Sequence, residues 1–161
     1  MPVVIFDNRS TQDTPKSSMT DKLIKVLGAF AVKKSPLPLN TTFLVLSGSS
    51  RCISRGEIYP PATKVIQEAI DKQIPILGIC YGFQMIAHVY GYTVERLPDI
   101  VREQKHVEGV GSVLFHHGDR VVGLPPLHQF SKKVFGVQFH PESSPDGVAW
   151  LQKHISAFEL N

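Results

Sequence analysis

The stretch "IPILGICYGFQMIAHVYG", residues 74–91, decides how this chain folds. Its first six residues form an apolar run of the kind that makes a strand covered on both faces. The run ends in Gly-x-Cys-x-Gly, after which Phe83, Ile86, Ala87 and Tyr90 recur at helical spacing until Gly91, a natural stop. A strand, a tight turn and a helix follow from this order, with Cys80 on the turn. Glycines at 78 and 82 let the backbone turn sharply and keep the neighbourhood free of side chains. The helix beginning there points its first amides at the sulfur, which favours a thiolate. The N–H of Tyr81 becomes a candidate oxyanion donor. A buried core cysteine would satisfy the same local pattern. A nucleophile, in contrast, requires a base and an orienting acid elsewhere in the chain.

Outward from this unit, strand and helix signals alternate. "VVIF" after Pro2 reads as a first buried strand, and residues 10–18 are polar and breaker-rich, hence loop. Thr20 is placed to cap a helix running to Leu27, stopped by Gly28. "AFAV" (29–32) reads as a second strand, and "KKSPLPLN" (33–40) is a Pro-rich link too short for a helix. "TTFLVLSGSS" (41–50) is a third strand entering a small-residue loop. Pro60 and Pro61 open a helix with Val65, Ile66, Ala69 and Ile70 on one face. Beyond Gly91 come short β-rich pieces, "YTVERL", "GSVLFHH", "DRVVGL" and "KVFGVQFH", then a helix over 146–158. The alternation predicts an α/β domain spanning 1–161. Its open, mostly parallel sheet carries helices on both faces, with a small antiparallel addition.

Composition excludes several classes of function. At 161 residues, 42% hydrophobic and 19% charged, the chain is an ordinary globular protein. No apolar run reaches the roughly 18 residues of a membrane span. The start, "MPVVIFDNRS", lacks a signal-peptide pattern, so the cytoplasm is the expected location, with Cys52 and Cys80 as free thiols. A net charge of +3, with lysine doublets only at 33–34 and 132–133, gives no nucleic-acid surface. His116, His117, His128 and His140 show no metal-ligand spacing, so no metal is expected. His88 reads as a packing histidine, Cys52 as a spare thiol, and Arg51 and Arg55 as solvated loop charges.

"GVQFHPE", residues 136–142, supplies what Cys80 requires. An apolar strand delivers His140 at its end, and Pro141 stiffens the exit toward Glu142. A carboxylate two residues on can accept from one imidazole nitrogen while the other faces a thiol.

"GICYGFQ" and "GVQFHPE" resemble the two signatures of the class I glutamine amidotransferases, and "LSGSS" (46–50) resembles their oxyanion loop. Tyr81 and "HHGDRVVGLP" (116–125) are most similar to the branch that serves GMP synthesis. The resemblance implies a flavodoxin-like three-layer fold and hydrolysis of glutamine through a Cys80–His140–Glu142 triad. It further implies backbone oxyanion donors at Tyr81 and Ser49, and substrate contacts at Gly48, Gln84, His116, His117, Gly118 and Asp119. It implies no cofactor. No phosphate-binding Gly-x-x-x-x-Gly-Lys loop is present, so it implies a separate ATP-dependent synthetase subunit as partner.

The chain departs from that pattern in places. Ser49 and Ser50 stand where relatives carry glycine and proline, which predicts a disturbed oxyanion loop, since glycine takes φ > 0 cheaply. The link at 33–40, the stretch between Arg102 and His116 and the turn 124–133 are short, predicting a minimal core with an open site. Two alternatives stay open: a partner-free γ-glutamyl hydrolase, and a catalytically silent binding or regulatory protein.

Overall fold

The computed structural model describes residues 2–10 and 19–159. The sequence-predicted loop therefore lies outside the described residues from position 11 to 18. Eight strands and four α-helices occur in the described chain. They are β1 (Val3–Phe6), α1 (Met19–Leu27), β2 (Phe30–Val32), β3 (Phe43–Leu46), α2 (Pro60–Asp71) and β4 (Ile76–Ile79). After these come α3 (Tyr81–Val89), β5 (Val94–Val107), β6 (Gly111–Val121), β7 (Leu127–Ser131), β8 (Val134–Val137) and α4 (Pro145–Glu159). The main sheet has the order β2-β1-β3-β4-β8-β7, parallel except for β7, which pairs antiparallel with β8. β5 and β6 form a separate antiparallel ribbon.

Alternation along the strands divides the core into two layers. Val4, Phe6, Leu44, Leu46 and Ile76 face one side, where Val65, Ile66 and Ala69 of α2 and Met85 and Ile86 of α3 cover them. Ile5, Phe43, Val45, Leu77, Ile79 and Val137 face the other, beneath Leu23 of α1 and Leu151 and Ile155 of α4. Val113 and Phe115 carry the ribbon onto this second layer. The expected three-layer arrangement is therefore the observed one.

Gly78 and Gly82 explain how α3 sits so close to the sheet. A Cβ on Gly78 would lie 2.6 Å from the Gly82 carbonyl carbon and oxygen, and one on Gly82 would lie 2.6 Å from the Leu46 carbonyl oxygen. These obstacles are backbone and cannot rotate away. Gly78→Ala is expected to lift the first turn of α3 and to cost about 3 kcal/mol or more in stability, read as a lower denaturant midpoint.

Several expectations are corrected. α1 already includes Met19, so Thr20 lies inside its first turn, buried, rather than capping it. Two of the four predicted β pieces merge, since β6 takes in both "GSVLFHH" and "DRV", while "YTVERL" lengthens into β5, which runs through Arg102 to Val107. The turn at 124–133 contains the strand β7. His88 is exposed rather than packed.

α4 also half-buries a histidine that sequence periodicity does not mark. His154 stacks on Trp150 at 4.9 Å and is ringed by Phe43, Phe135 and Phe158. Its Nε2 is buried without a hydrogen-bond partner among the described residues. Burial pushes its pKa down from 6.5 to about 4. The folded value lies below the unfolded one, so the unfolded chain takes the proton first. Stability is therefore complete above pH 6.5 and falls as pH drops from 6.5 toward 4. Between pH 7 and 4.5, His154→Phe should lose about 1–2 kcal/mol less stability than the wild type, measured by denaturant unfolding.

Candidate active site

Cys80 closes β4 and caps α3 with φ 53° and ψ −106°, a left-handed backbone that L residues rarely adopt. Such strain costs about 1–3 kcal/mol and persists only where its surroundings enforce it. Here the Cys80 N–H donates to the Val137 carbonyl at 2.8 Å, its carbonyl accepts from Gln84 N–H at 3.1 Å, and the close-packed glycines leave no other path. The turn holds the sulfur at the C-terminal end of the parallel strands, where α/β sheets bind ligands.

His140 leaves the neighbouring strand β8 on the same side. Its N–H donates to the Leu114 carbonyl at 2.8 Å, so the ribbon fixes it from one face and the sheet from the other. Pro141 starts a short 3₁₀ turn, Pro141–Ser143, that carries Glu142 back under the ring. The Glu142 Oε1 to His140 Nδ1 distance is 3.4 Å, and both side chains are almost fully buried. Burial alone would disfavour a charged imidazole. The Glu142 carboxylate and the Cys80 sulfur outweigh it and hold the His140 pKa well above its ordinary value.

Gly48 presses the loop after β3 against this pair. A Cβ there would sit 3.0 Å from His140 Cε1 and 3.6 Å from Cys80 Cβ, so any side chain would require the imidazole to shift by a few tenths of an ångström. Among the described non-glycine residues only Gln73 and Cys80 have positive φ, so Ser49 does not take the left-handed backbone that glycine adopts cheaply. The loop is also braced. Asn8 donates from its N–H to Ser47 Oγ at 2.9 Å and from Nδ2 to the Ser47 carbonyl at 2.8 Å. Arg51 donates to the Asn8 carbonyl, lies 3.9 Å over the Tyr59 ring, and its N–H donates to Ser49 Oγ at 3.1 Å. The first N–H groups of α3, including that of Tyr81, have no intrahelical partner, as at any helix start.

The floor of the site extends to residues that the sequence did not single out. Gln138 is buried and its Nε2 lies 3.6 Å from Cys80 Sγ, while the His116 carbonyl lies 3.6 Å away on the opposite strand. Gln84 Nε2 donates to the Asp119 carbonyl at 3.1 Å and to Gln138 Oε1 at 3.3 Å. Gln138 stands just past the end of β8, two residues before His140.

The remaining candidates divide. His116, His117 and Gly118 line the cleft, and burial, first among other causes, lowers the pKa of both histidines. Asp119 also lines it, but its carboxylate faces away. It accepts from Ser54 N–H at 3.0 Å and Ser54 Oγ at 2.6 Å, pinning the short helix Ile53–Arg55 to β6. The cleft has a volume of about 420 Å³ and opens over Cys80, Gly48, Ser49, Gln84 and His140. Cys52, half-buried at its edge, is a free thiol, as is Cys80. Among the described residues no group of three His, Cys, Asp or Glu side chains is placed to hold a metal ion. No described helix is long and apolar enough to cross a membrane.

Comparison with known proteins adds a family to this geometry. A glutamine-hydrolyzing GMP synthase of Anaplasma marginale is 30% identical over 146 residues, covering 69% of this chain and 28% of that protein. One from Helicobacter pylori strain J99 is 32% identical over 124 residues, covering 62% and 24%. The chain thus spans about a quarter of the length of these relatives. Among solved structures, PurLQS from Thermotoga maritima superposes with a TM-score of 0.69 at 15% identity, covering 97% of this chain and 98% of that one. A glutamine amidotransferase from the same organism gives 0.61 at 22% identity, covering 98% and 84%. The sequence model for glutamine amidotransferase class-I matches residues 16–129, a span that includes Cys80 and ends before His140. That match covers more than half of the sequence, and the chain belongs to the glutamine amidotransferase class-I family.

Proposed function

We propose that this chain hydrolyses glutamine to glutamate and ammonia through a Cys80–His140–Glu142 triad, as the amidotransferase subunit of a separate ATP-dependent synthetase of the GMP-synthase kind. The observation that carries the reading is a cysteine on a strained strand-to-helix turn, backed by a buried histidine with raised proton affinity and a buried carboxylate behind it. With the shared proton resting on His140, Cys80 Sγ attacks the side-chain amide carbon of glutamine. The N–H groups of Tyr81 and Ser49 receive the developing oxyanion. His140 gives its proton to the departing nitrogen, ammonia leaves, and a thioester remains on Cys80. His140 then takes a proton from water, whose oxygen attacks the thioester and releases glutamate. Glu142 keeps the imidazole oriented and its charge balanced throughout. Gly48, Gln84 and the strand segment from His116 to Asp119 shape the pocket for the amino acid.

A partner is supported by the relatives, which are glutamine-hydrolyzing GMP synthases several times longer than this chain. The test is production of glutamate and ammonia in equal amounts from glutamine by the purified protein, alone and with a synthetase captured from the source cells. Equal release, with a transient mass increase on Cys80, supports the reading. Turnover at full rate without a partner would favour a free-standing hydrolase. No adduct and no release under either condition would favour a silent binding protein.

A further inference from the structure

The amidohydrolase chemistry uses the inner half of the cleft and leaves its outer half unexplained. Four arginines, Arg9, Arg51, Arg55 and Arg96, line it. Arg9 is paired with Asp7 and Asp21. Arg51 is engaged in bracing the loop. Arg55 and Arg96 form no ion pair with a described carboxylate, and the one cleft carboxylate nearby, Asp119, is taken by Ser54.

Arg96 is placed by the irregular ribbon. It pairs in register with Asp119 on β6, just before the register shifts between Arg96 and Val101. Its Nη1 lies 3.5 Å from Cys52 Sγ, and 3.8 Å from where a Cβ on Gly118 would be. The guanidinium therefore lies in van der Waals range of the side-chain face of position 118 on that strand. The His116 carbonyl, two residues earlier on that strand, is 3.6 Å from Cys80 Sγ. Two residues of strand span about 7 Å, so the guanidinium sits roughly that far along β6 from the nucleophile. From its amide carbon to its α-carboxylate, a glutamine side chain extends roughly 5 Å.

We propose that Arg96 is the carboxylate anchor of the cleft, gripping the α-carboxylate of an amino-acid amide whose side-chain amide faces Cys80. The assignment rests on the amidohydrolase reading above for the identity of that amide. A guanidinium offers paired N–H donors that match a carboxylate, and such charge-assisted bonds are stronger than neutral ones. Arg55 adds a second positive charge at the same rim with no carboxylate partner among the described residues. The neighbouring His116 and His117 do not supply one, since burial favours their neutral forms. Arg96 thus selects amides that carry a carboxylate at the far end and rejects simple or blocked amides of the same length.

The test is equilibrium binding to the non-turning-over Cys80→Ala protein, with and without Arg96→Gln or Arg96→Lys. The probes are L-glutamine and its uncharged α-amide. Arg96→Gln should weaken glutamine binding by about 10- to 100-fold and leave binding of the α-amide unchanged, with Arg96→Lys in between. Arg96 is exposed, and equal thermal midpoints check that the variants fold. Equal loss for both probes, loss for neither, or no glutamine binding by the Cys80→Ala parent would overturn the assignment. Hydrolysis by the wild type decides the amidohydrolase reading separately: carboxylate-dependent binding without hydrolysis would keep the anchor and reject the hydrolase.

Discussion

Cys80→Ala should abolish glutamate release from glutamine, a loss of at least about 10³-fold, while leaving the fold intact. No other described cysteine can replace it, because Cys52 lies at the cleft edge rather than against His140. The conformation at position 80 sharpens the test. Its φ of 53° strains any residue with a Cβ, and glycine relieves that strain. Cys80→Gly should therefore be equally inactive yet more stable than Cys80→Ala by about 1 kcal/mol, read from denaturant midpoints. A structural cysteine at an ordinary turn would not show that pairing of lost turnover with recovered stability. Residual release equal to wild type would mean that Cys80 is not the nucleophile, and the proposed mechanism would fall.

Much of this was legible in the sequence because glycine and proline leave marks that no other residue can fake. Gly78 and Gly82 announce a close approach of helix and strand, and the structure realises it through backbone contacts. Pro141 announces a fixed exit after His140, realised as a 3₁₀ turn. The ribbon was hard to read for the opposite reason. Most of β5 is exposed along its length, so no alternation of apolar and polar residues betrays a single strand. β7 is a short edge strand with intermediate and exposed residues only, and it gives an equally weak signal. The role of Arg96 depends on a cross-strand register and its irregularity, which follow from pairing rather than from local composition. Asp119 shows the converse limit. Its place in the cleft was expected, but the direction of its carboxylate is set by Ser54, 65 positions away.

Glu142→Gln separates orientation from charge at the heart of the site. The amide keeps the size of the carboxylate and can still face His140 Nδ1, which lies 3.4 Å from Oε1. It removes the negative charge that, against the opposing effect of burial, raises the histidine's proton affinity. The kcat for glutamine hydrolysis should drop by about 10²–10⁴, with KM far less affected. The pH dependence supplies a second readout. In the wild type the ring holds its proton to higher pH than a free imidazole does, so activity falls only as pH rises through the raised folded value. In Glu142→Gln that alkaline limb should move to lower pH. Stability follows the same sign. A raised folded pKa contributes stability that is complete below 6.5 and is lost as pH rises through the folded value. The wild type should therefore exceed the variant most at pH 6 or below, with the gap narrowing as pH rises through the raised folded value. If the gap instead widened with pH, His140 would be neutral in the folded protein. The proton would then have to come from the thiol during attack, and Glu142 would serve orientation alone.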